Sequence, residues 1–270
     1  LQGASLKHAN LILPAILSAL LFLQPTVGHG QPLVDEAQKI KQENQDGLNF
    51  FRHRDNYFIS GKDETKIQLS FKMQILSDSD YYLGYTQVMF WDIGNGTSHF
   101  SDVNYNPEFF YRLHTNYGIL KGVDLSPLEH KSDGQTGINM RAWNRAFVSF
   151  HTEFELFHAE AHWDSKVFRI YDSDQTNADI NNKLGLIETS LSIHNIFQGI
   201  FNEDQITLSI VPGGTLSLQE NQGSQQLDFK FRLKVNKLNP FILLQVFNGY
   251  NEALLRYNSP VTSYRIGLSL

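Results

Sequence analysis

Leu227-Asp228-Phe229-Lys230-Phe231-Arg232-Leu233-Lys234-Val235 alternates without a break between apolar and charged side chains. A strand sends successive side chains to opposite faces, so this stretch has one apolar wall and one charged wall. The same period of two runs through Ile67-Gln68-Leu69-Ser70-Phe71-Lys72-Met73-Gln74 and returns in the final Tyr264-Arg265-Ile266-Gly267-Leu268-Ser269-Leu270. In a soluble sandwich the apolar wall would face a core and the charged wall water. In a membrane barrel the two walls would face lipid and lumen. Periodicity alone leaves both open.

Outward from these runs, further strands are predicted at 57–60, 81–91, 108–117, 119–129, 142–156, 158–171, 184–197, 205–211 and 240–249. The total is about twelve, an even number as closure of bacterial barrels prefers. The polar, amide-rich stretches 172–183 and 219–226 read as exposed connections. Residues 1–30 are different in kind. Lys7 and His8 precede an apolar run from Leu11 to Leu23, and the small residues Gly28 and Gly30 follow. That is the layout of a secretory signal peptide, with a retained anchor as the alternative. The run is short for a spanning helix, which needs about 20 apolar residues. After residue 30 no apolar run of spanning length appears. Residues 31–55 are polar and read as a mobile or weakly helical periplasmic lead-in to a barrel over 56–270. The signal, the strand lengths and the apolar last strand favour the barrel over a soluble secreted β-protein.

Bulk properties agree without deciding. Mean hydropathy is −0.30 and hydrophobic residues make up 41% of the 270, an average that alternation produces in a membrane barrel too. A net charge of −6 with no basic stripe gives no sign of a nucleic-acid partner. The absence of Cys excludes disulfide and thiolate-metal scaffolds.

The stretch that carries chemistry is Glu129-His130-Lys131-Ser132-Asp133-Gly134-Gln135-Thr136-Gly137-Ile138-Asn139-Met140-Arg141-Ala142-Trp143-Asn144-Arg145. His130 and Ser132 are two apart, so on a strand they share a face. Gly134 and Gly137 mark a loop. Asn144 lies on the next strand, where hairpin geometry can set it beside His130. Asn144 shares parity with Ala142, Ala146, Val148 and Phe150, which places it on the apolar side. A polar amide on such a wall needs a partner. An imidazole can activate a serine hydroxyl, and an amide oxygen can orient the imidazole. On spacing alone the catalytic signal is weak, and polar groups at a loop edge are the favoured reading of the same residues.

This stretch resembles the active-site region of the outer-membrane phospholipase A family, through its His-x-Ser, the Gly two residues after the Ser, and the closing Trp-Asn-Arg. Other blocks are similar in order along residues 55–270: Asp55-Asn56-Tyr57-Phe58-Ile59, Lys66-Ile67-Gln68-Leu69-Ser70, Gly84-Tyr85-Thr86-Gln87, Asn104-Tyr105-Asn106-Pro107 and Gly249-Tyr250-Asn251-Glu252-Ala253-Leu254-Leu255-Arg256-Tyr257-Asn258. The resemblance implies an all-β, twelve-stranded antiparallel transmembrane barrel in the outer membrane of a Gram-negative bacterium. It implies a calcium-dependent enzyme, active as a homodimer, that hydrolyses sn-1 and sn-2 acyl esters of phospholipids and lysophospholipids. By position Ser132 is the nucleophile, His130 the proton acceptor, Asn144 the residue that orients His130, and the Gly134 N–H the oxyanion donor. Calcium (Ca2+) ligands fall on Gln135, Met140 and, from the partner subunit, the position of Thr97. A Met140 thioether is a poor ligand for a hard cation, and Asn139 or Asp133 could replace it. Gln87 falls at a dimer-interface position.

Other residues carry plainer expectations. His158, Glu160 and His162 alternate with apolar residues and are expected to line the lumen rather than hold a metal. Tyr81, Tyr82, Tyr85, Trp91 and Trp143 are candidates for interfacial girdles. A non-catalytic barrel, a channel or a structural protein, is the competing reading of the whole chain.

Overall fold

The computed structural model describes residues 50–62, 64–76, 79–93, 99–197, 199–214, 222–232 and 240–270. Alternating side chains make strands here, and the strands close on themselves. They are β1 (Phe50–Arg52), β2 (Tyr57–Gly61), β3 (Thr65–Gln74), β4 (Tyr81–Trp91), β5 (Phe100–Tyr117), β6 (Leu120–Ser132) and β7 (Ala142–Leu156). They continue as β8 (Ala159–Ser173), β9 (Ile187–His194), β10 (Glu203–Val211), β11 (Ser224–Arg232), β12 (Phe241–Gly249) and β13 (Val261–Ser269). From β2 onward each pairs antiparallel with its neighbour in sequence, β1 pairs antiparallel with β3, and β13 returns to β2, with Arg265 opposite Gly61 and Ser269 opposite Tyr57. Closure leaves no open sheet edge around the ring. The thirteen segments form twelve staves, because β1 and β2 lie along the same edge of β3. β1 forms inside the polar segment read as a lead-in, with Phe50 opposite Met73. The signal-peptide region 1–30 lies outside the described residues.

Burial separates the two walls. Along β7, Trp143, Arg145, Phe147 and Ser149 are buried, while Ala142, Asn144, Ala146 and Val148 are half-buried and Phe150 is exposed. The first set faces the lumen and the second the outside. Leu69, Phe71, Leu83, Leu125, Val167, Leu227, Ile266 and Leu268 are all exposed on the outer wall. A ring of large apolar side chains turned outward is what lipid solvates and water does not.

The lumen is filled. Arg145 forks onto Glu129 at 2.7 and 3.0 Å and reaches Glu188 at 2.7 Å. Lys66 bonds Gln245 at 3.0 Å, and Gln245 bonds Asp228 at 2.9 Å. Beyond β8, the short helix α1 (Ile180–Leu184) and a 3₁₀ turn at Leu254–Arg256 fold over one end. Ile180, Leu184, Leu254 and Tyr257 pack with Phe110, Trp143, Phe147 and Phe168. Asn104 accepts the N–H of Leu254 at 3.0 Å and Asp102 that of Leu255 at 2.9 Å, so β5 holds this cap down. A lumen closed by ion pairs and an apolar cap argues against an open channel.

Three expected lumenal or girdle placements change. Trp143 and Tyr82 lie on the lumenal side. Trp143 stacks under the Arg145 guanidinium, 4.7 Å from the ring centre, and Tyr82 stacks on Phe110 at 5.3 Å. Parity, not aromatic character, decides the wall. His158 leaves the strand altogether. With Phe157 it forms the β7–β8 turn, at φ 63° and 53°, the positive values that a two-residue hairpin turn requires. His162 remains beside Glu160, at 2.7 Å. The stretch 184–197 also begins later as a strand than expected, because Ile180–Leu184 is helical and Gly185, at φ 67°, ends it.

Candidate active site

Two irregularities in pairing aim the site. Along β6, Asp124 and Ser126 face the lumen. Simple alternation would then turn His130 and Ser132 inward as well. Instead β6 carries an extra residue between Ser126 and Glu129, three steps against two on β7, where Phe147 and Arg145 are the partners. The same step appears against β5, between Leu125 and Leu128. The bulge, at Pro127 and Leu128, reverses parity. Glu129 becomes lumenal and 1% exposed, and His130 and Ser132 turn out. A second bulge lies on β8 opposite Asn144 and Arg145, whose partners are Asp172 and Ile170. It leaves Ile170 against the core cluster and turns Asp172 outward.

His130 and Asn144 are direct cross-strand partners. His130 Nδ1 lies 2.8 Å from Asn144 Oδ1, and the Asn144 amide N–H donates to Asp172 Oδ2 at 2.9 Å. Ser132 sits two residues beyond His130 on the same outer face, opposite Ala142 on β7 and Tyr105 on β5. Among the described residues its hydroxyl makes no hydrogen bond to His130; such bonds commonly tighten only when substrate is bound. From the lumenal side Asn106 donates to the His130 carbonyl at 2.7 Å and to Glu129 at 3.3 Å. The imidazole thus stands on a backbone clamped by buried ion pairs.

The loop after Ser132 is braced by Asp133. Its Oδ1 accepts the N–H groups of Gln135 at 3.0 Å and Arg141 at 3.1 Å, and its N–H bonds the Arg141 carbonyl. Gly134, at φ +67°, lies against Tyr105. A Cβ there would come within 2.9 Å of the ring, so only glycine lets the loop pass this close. Asp133 Oδ2 is buried without a hydrogen-bond partner. It is the one orphaned carboxylate oxygen in the loop and suits a hard cation, as does a backbone carbonyl such as that of Gln135. The Met140 carbonyl is already taken by Arg141 Nη1, at 2.8 Å, and by the Thr176 hydroxyl. Its thioether is not a hard-cation donor. Among the described residues no three carboxylate or imidazole groups converge to hold a metal. A cation here would rest on Asp133, carbonyl oxygens and water. Thr97 lies outside the described residues.

Gln87 faces outward and accepts a bond from the Tyr85 hydroxyl at 3.0 Å. It pairs with Tyr105, which pairs with Ser132, so Gln87 and the serine lie in one row across the outer wall. Sequence reading missed Asp172, placing it in a loop, and missed Asn106. Both are ordinary polar residues on strands. The signal available was that an Asn amide on an apolar wall has two ends to satisfy, and an imidazole satisfies only one.

A model of the family described as Phospholipase A1 matches residues 31–270. The chain is 23% identical over 240 residues to the phospholipase A1 of Salmonella typhimurium, covering 84% of this chain and 75% of that protein. It is 24% identical over 222 residues to the phospholipase A1 of Escherichia coli K12, covering 77% and 70%. Its fold matches the crystal structure of the Salmonella typhi outer membrane phospholipase dimer with bound calcium. The TM-score is 0.68 at 23% identity, over 86% of this chain and 96% of that one.

Proposed function

Since the chain belongs to the phospholipase A1 family, we propose that it is a calcium-dependent outer-membrane hydrolase that cleaves sn-1 and sn-2 acyl esters of phospholipids and lysophospholipids through Ser132, His130 and Asn144. The observation that carries the reading is the 2.8 Å pairing of His130 with Asn144 on the outer wall, with Ser132 beside it on the same face. A hydrolase that takes lipid from the bilayer needs its nucleophile on the lipid side of the barrel, and both bulges serve that placement.

The chemistry follows from the donors and acceptors. Asn144 Oδ1 accepts the proton on His130 Nδ1, which leaves Nε2 as the base. Nε2 takes the Ser132 proton as Oγ attacks the ester carbonyl, then delivers it to the departing lysophospholipid oxygen. Water, deprotonated by the same nitrogen, hydrolyses the acyl-serine. The Gly134 N–H donates to the oxyanion, a contribution of a few kcal/mol for such donors, or roughly 10²–10³ in rate. Calcium, held by Asp133 and the Gln135 carbonyl and completed by the partner subunit, would add positive charge beside that oxyanion. Gln87, in line with Ser132 on the outer wall, fits an isologous contact between two barrels.

Fatty-acid release from phospholipid–detergent micelles, measured with calcium and after chelation, tests this reading. Release should stop on chelation and return with added calcium, and active enzyme should cross-link as a dimer. Release that ignores chelation, or an active species that is only monomeric, would overturn the calcium and dimer parts respectively.

A further inference from the structure

The triad of this site lacks a carboxylate, because a neutral amide stands behind the histidine. Asp172 lies directly behind that amide. Asn144 Nδ2 donates to Asp172 Oδ2 at 2.9 Å, while Asn144 Oδ1 faces His130 Nδ1 at 2.8 Å. We propose that Asp172 is a positioning residue of the active site, fixing the Asn144 amide and lending its negative charge to His130 at one remove. The inference rests on the Ser132, His130 and Asn144 reading given above.

Three observations converge. First, an ionised carboxylate only accepts hydrogen bonds. Asp172 therefore requires the NH₂ end of Asn144, which turns Oδ1 to His130, which requires the Nδ1–H tautomer and leaves Nε2 free for Ser132. A flipped amide would set a donor against Nδ1–H. Second, Asp172 faces outward only because β8 bulges opposite Asn144 and Arg145. Bulges beside active sites re-aim side chains in this way. Third, among the described residues no lysine or arginine forms an ion pair with Asp172, and Asn144 is its one hydrogen-bond partner. The neighbouring cation Arg145 turns inward to Glu129 and Glu188. The other polar residues around this rim, Ser173, Asp174 and Gln175, bring no positive charge. Arg141 is spent on the Ile138 and Met140 carbonyls. Arg169, exposed on the same outer face of β8 opposite Ala146, forms no ion pair with Asp172 among the described residues either, so the carboxylate's charge is left to the Asn144 amide. Hydrogen-bonded chains polarise their members, and a charge at one end strengthens the acceptor at the other.

The test is the pH dependence of fatty-acid release by Asp172→Ala, Asp172→Asn, Asn144→Asp and the double variant Asn144→Asp/Asp172→Ala. Heat-modifiable migration confirms that each barrel is folded. Asp172→Ala should lower kcat about tenfold, the worth of one charge-assisted hydrogen bond, with KM unchanged. Asp172→Asn keeps an acceptor and removes the charge, so kcat falls less, and the acidic limb of kcat/KM moves to lower pH. Asn144→Asp alone sets two carboxylates side by side. The double variant should therefore be more active than Asn144→Asp and at least as active as Asp172→Ala, because its aspartate needs no clamp. Ser132→Ala is run beside them. If Ser132→Ala is inert while Asp172→Ala and Asp172→Asn match wild type in kcat and pH limb, Asp172 has no such role. If the double variant is merely the product of the two single losses, Asp172 acts only on structure. Activity remaining in Ser132→Ala would overturn the triad itself and this inference with it.

Discussion

Asn144 Oδ1 stands 2.8 Å from His130 Nδ1 across β6 and β7, while Arg145, the next residue, points the other way into the lumen, 1% and 2% exposed Glu129 and Arg145 meeting there as a buried pair. One pair of strands thus carries the candidate chemistry outside and a buried ion pair inside. Removing the amide oxygen isolates the first function. Asn144→Ala should lower kcat about 10- to 100-fold, as expected for losing a hydrogen bond to an imidazolium, roughly 1.5–3 kcal/mol. Steady-state release by the folded barrel checks it, and an unchanged kcat would count against the role of Asn144.

The inner pair gives a stability prediction. Arg145→Ala removes the cation shared by buried Glu129 and half-buried Glu188, and leaves Glu129 with Lys166 at 3.3 Å and Arg54 at 3.9 Å. Breaking one partner of such a network costs about 3–5 kcal/mol. The urea midpoint of barrel unfolding, followed by heat-modifiable migration, should drop clearly. Arg145→Met should cost less if Glu129 and Glu188 are made Gln together with it.

The β6 bulge is testable by deletion. Removing Pro127 takes out the extra residue, so plain alternation then runs Ser126 inward, Leu128 outward, Glu129 inward and His130 and Ser132 outward. The expected product is a folded barrel that keeps the Glu129–Arg145 pair and retains release activity. A folded deletion variant that has lost release, with His130 and Ser132 turned into the lumen, would contradict the parity argument.

These bulges mark the limit of what the sequence made legible. Alternation in 227–235 and 264–270 reads directly as staves of a barrel, and Asn144 sits on the outer wall as its parity predicts. Counting parity from Asp124 would have placed His130 inside, because an inserted residue leaves no compositional trace. Asp172 read as loop for the same reason, being the last outward residue before polar sequence. Trp143 and Tyr82 were assigned by residue type, and only the ring of strands says which wall each one faces. β1 hid in a polar segment because three residues are too few for a period to show.

Met140 bears on calcium. Its thioether offers no hard oxygen, and its carbonyl is occupied. Met140→Ser should lower the calcium concentration for half-maximal release about tenfold, the effect of one added ligand worth about 1.4 kcal/mol. A calcium titration of release checks it, and an unchanged midpoint would mean that the cation does not lie beside residue 140.

The cap gives a pH prediction. Burial, and then the hydrogen bond to Asp179, push the Tyr257 phenol up to about 12. A phenol raised in the folded state stabilises fully below the ordinary value of 10 and loses that contribution as pH rises through 12. Wild type should therefore lose stability between those values by more than Tyr257→Phe does. Parallel unfolding curves across that window would contradict the assignment.

Fatty-acid release by wild type and Ser132→Ala, both shown to be folded barrels and both assayed on phospholipid micelles with calcium, reads the central claim most directly. Release by wild type and none above background by Ser132→Ala is the predicted result. Equal rates from the two proteins would contradict it.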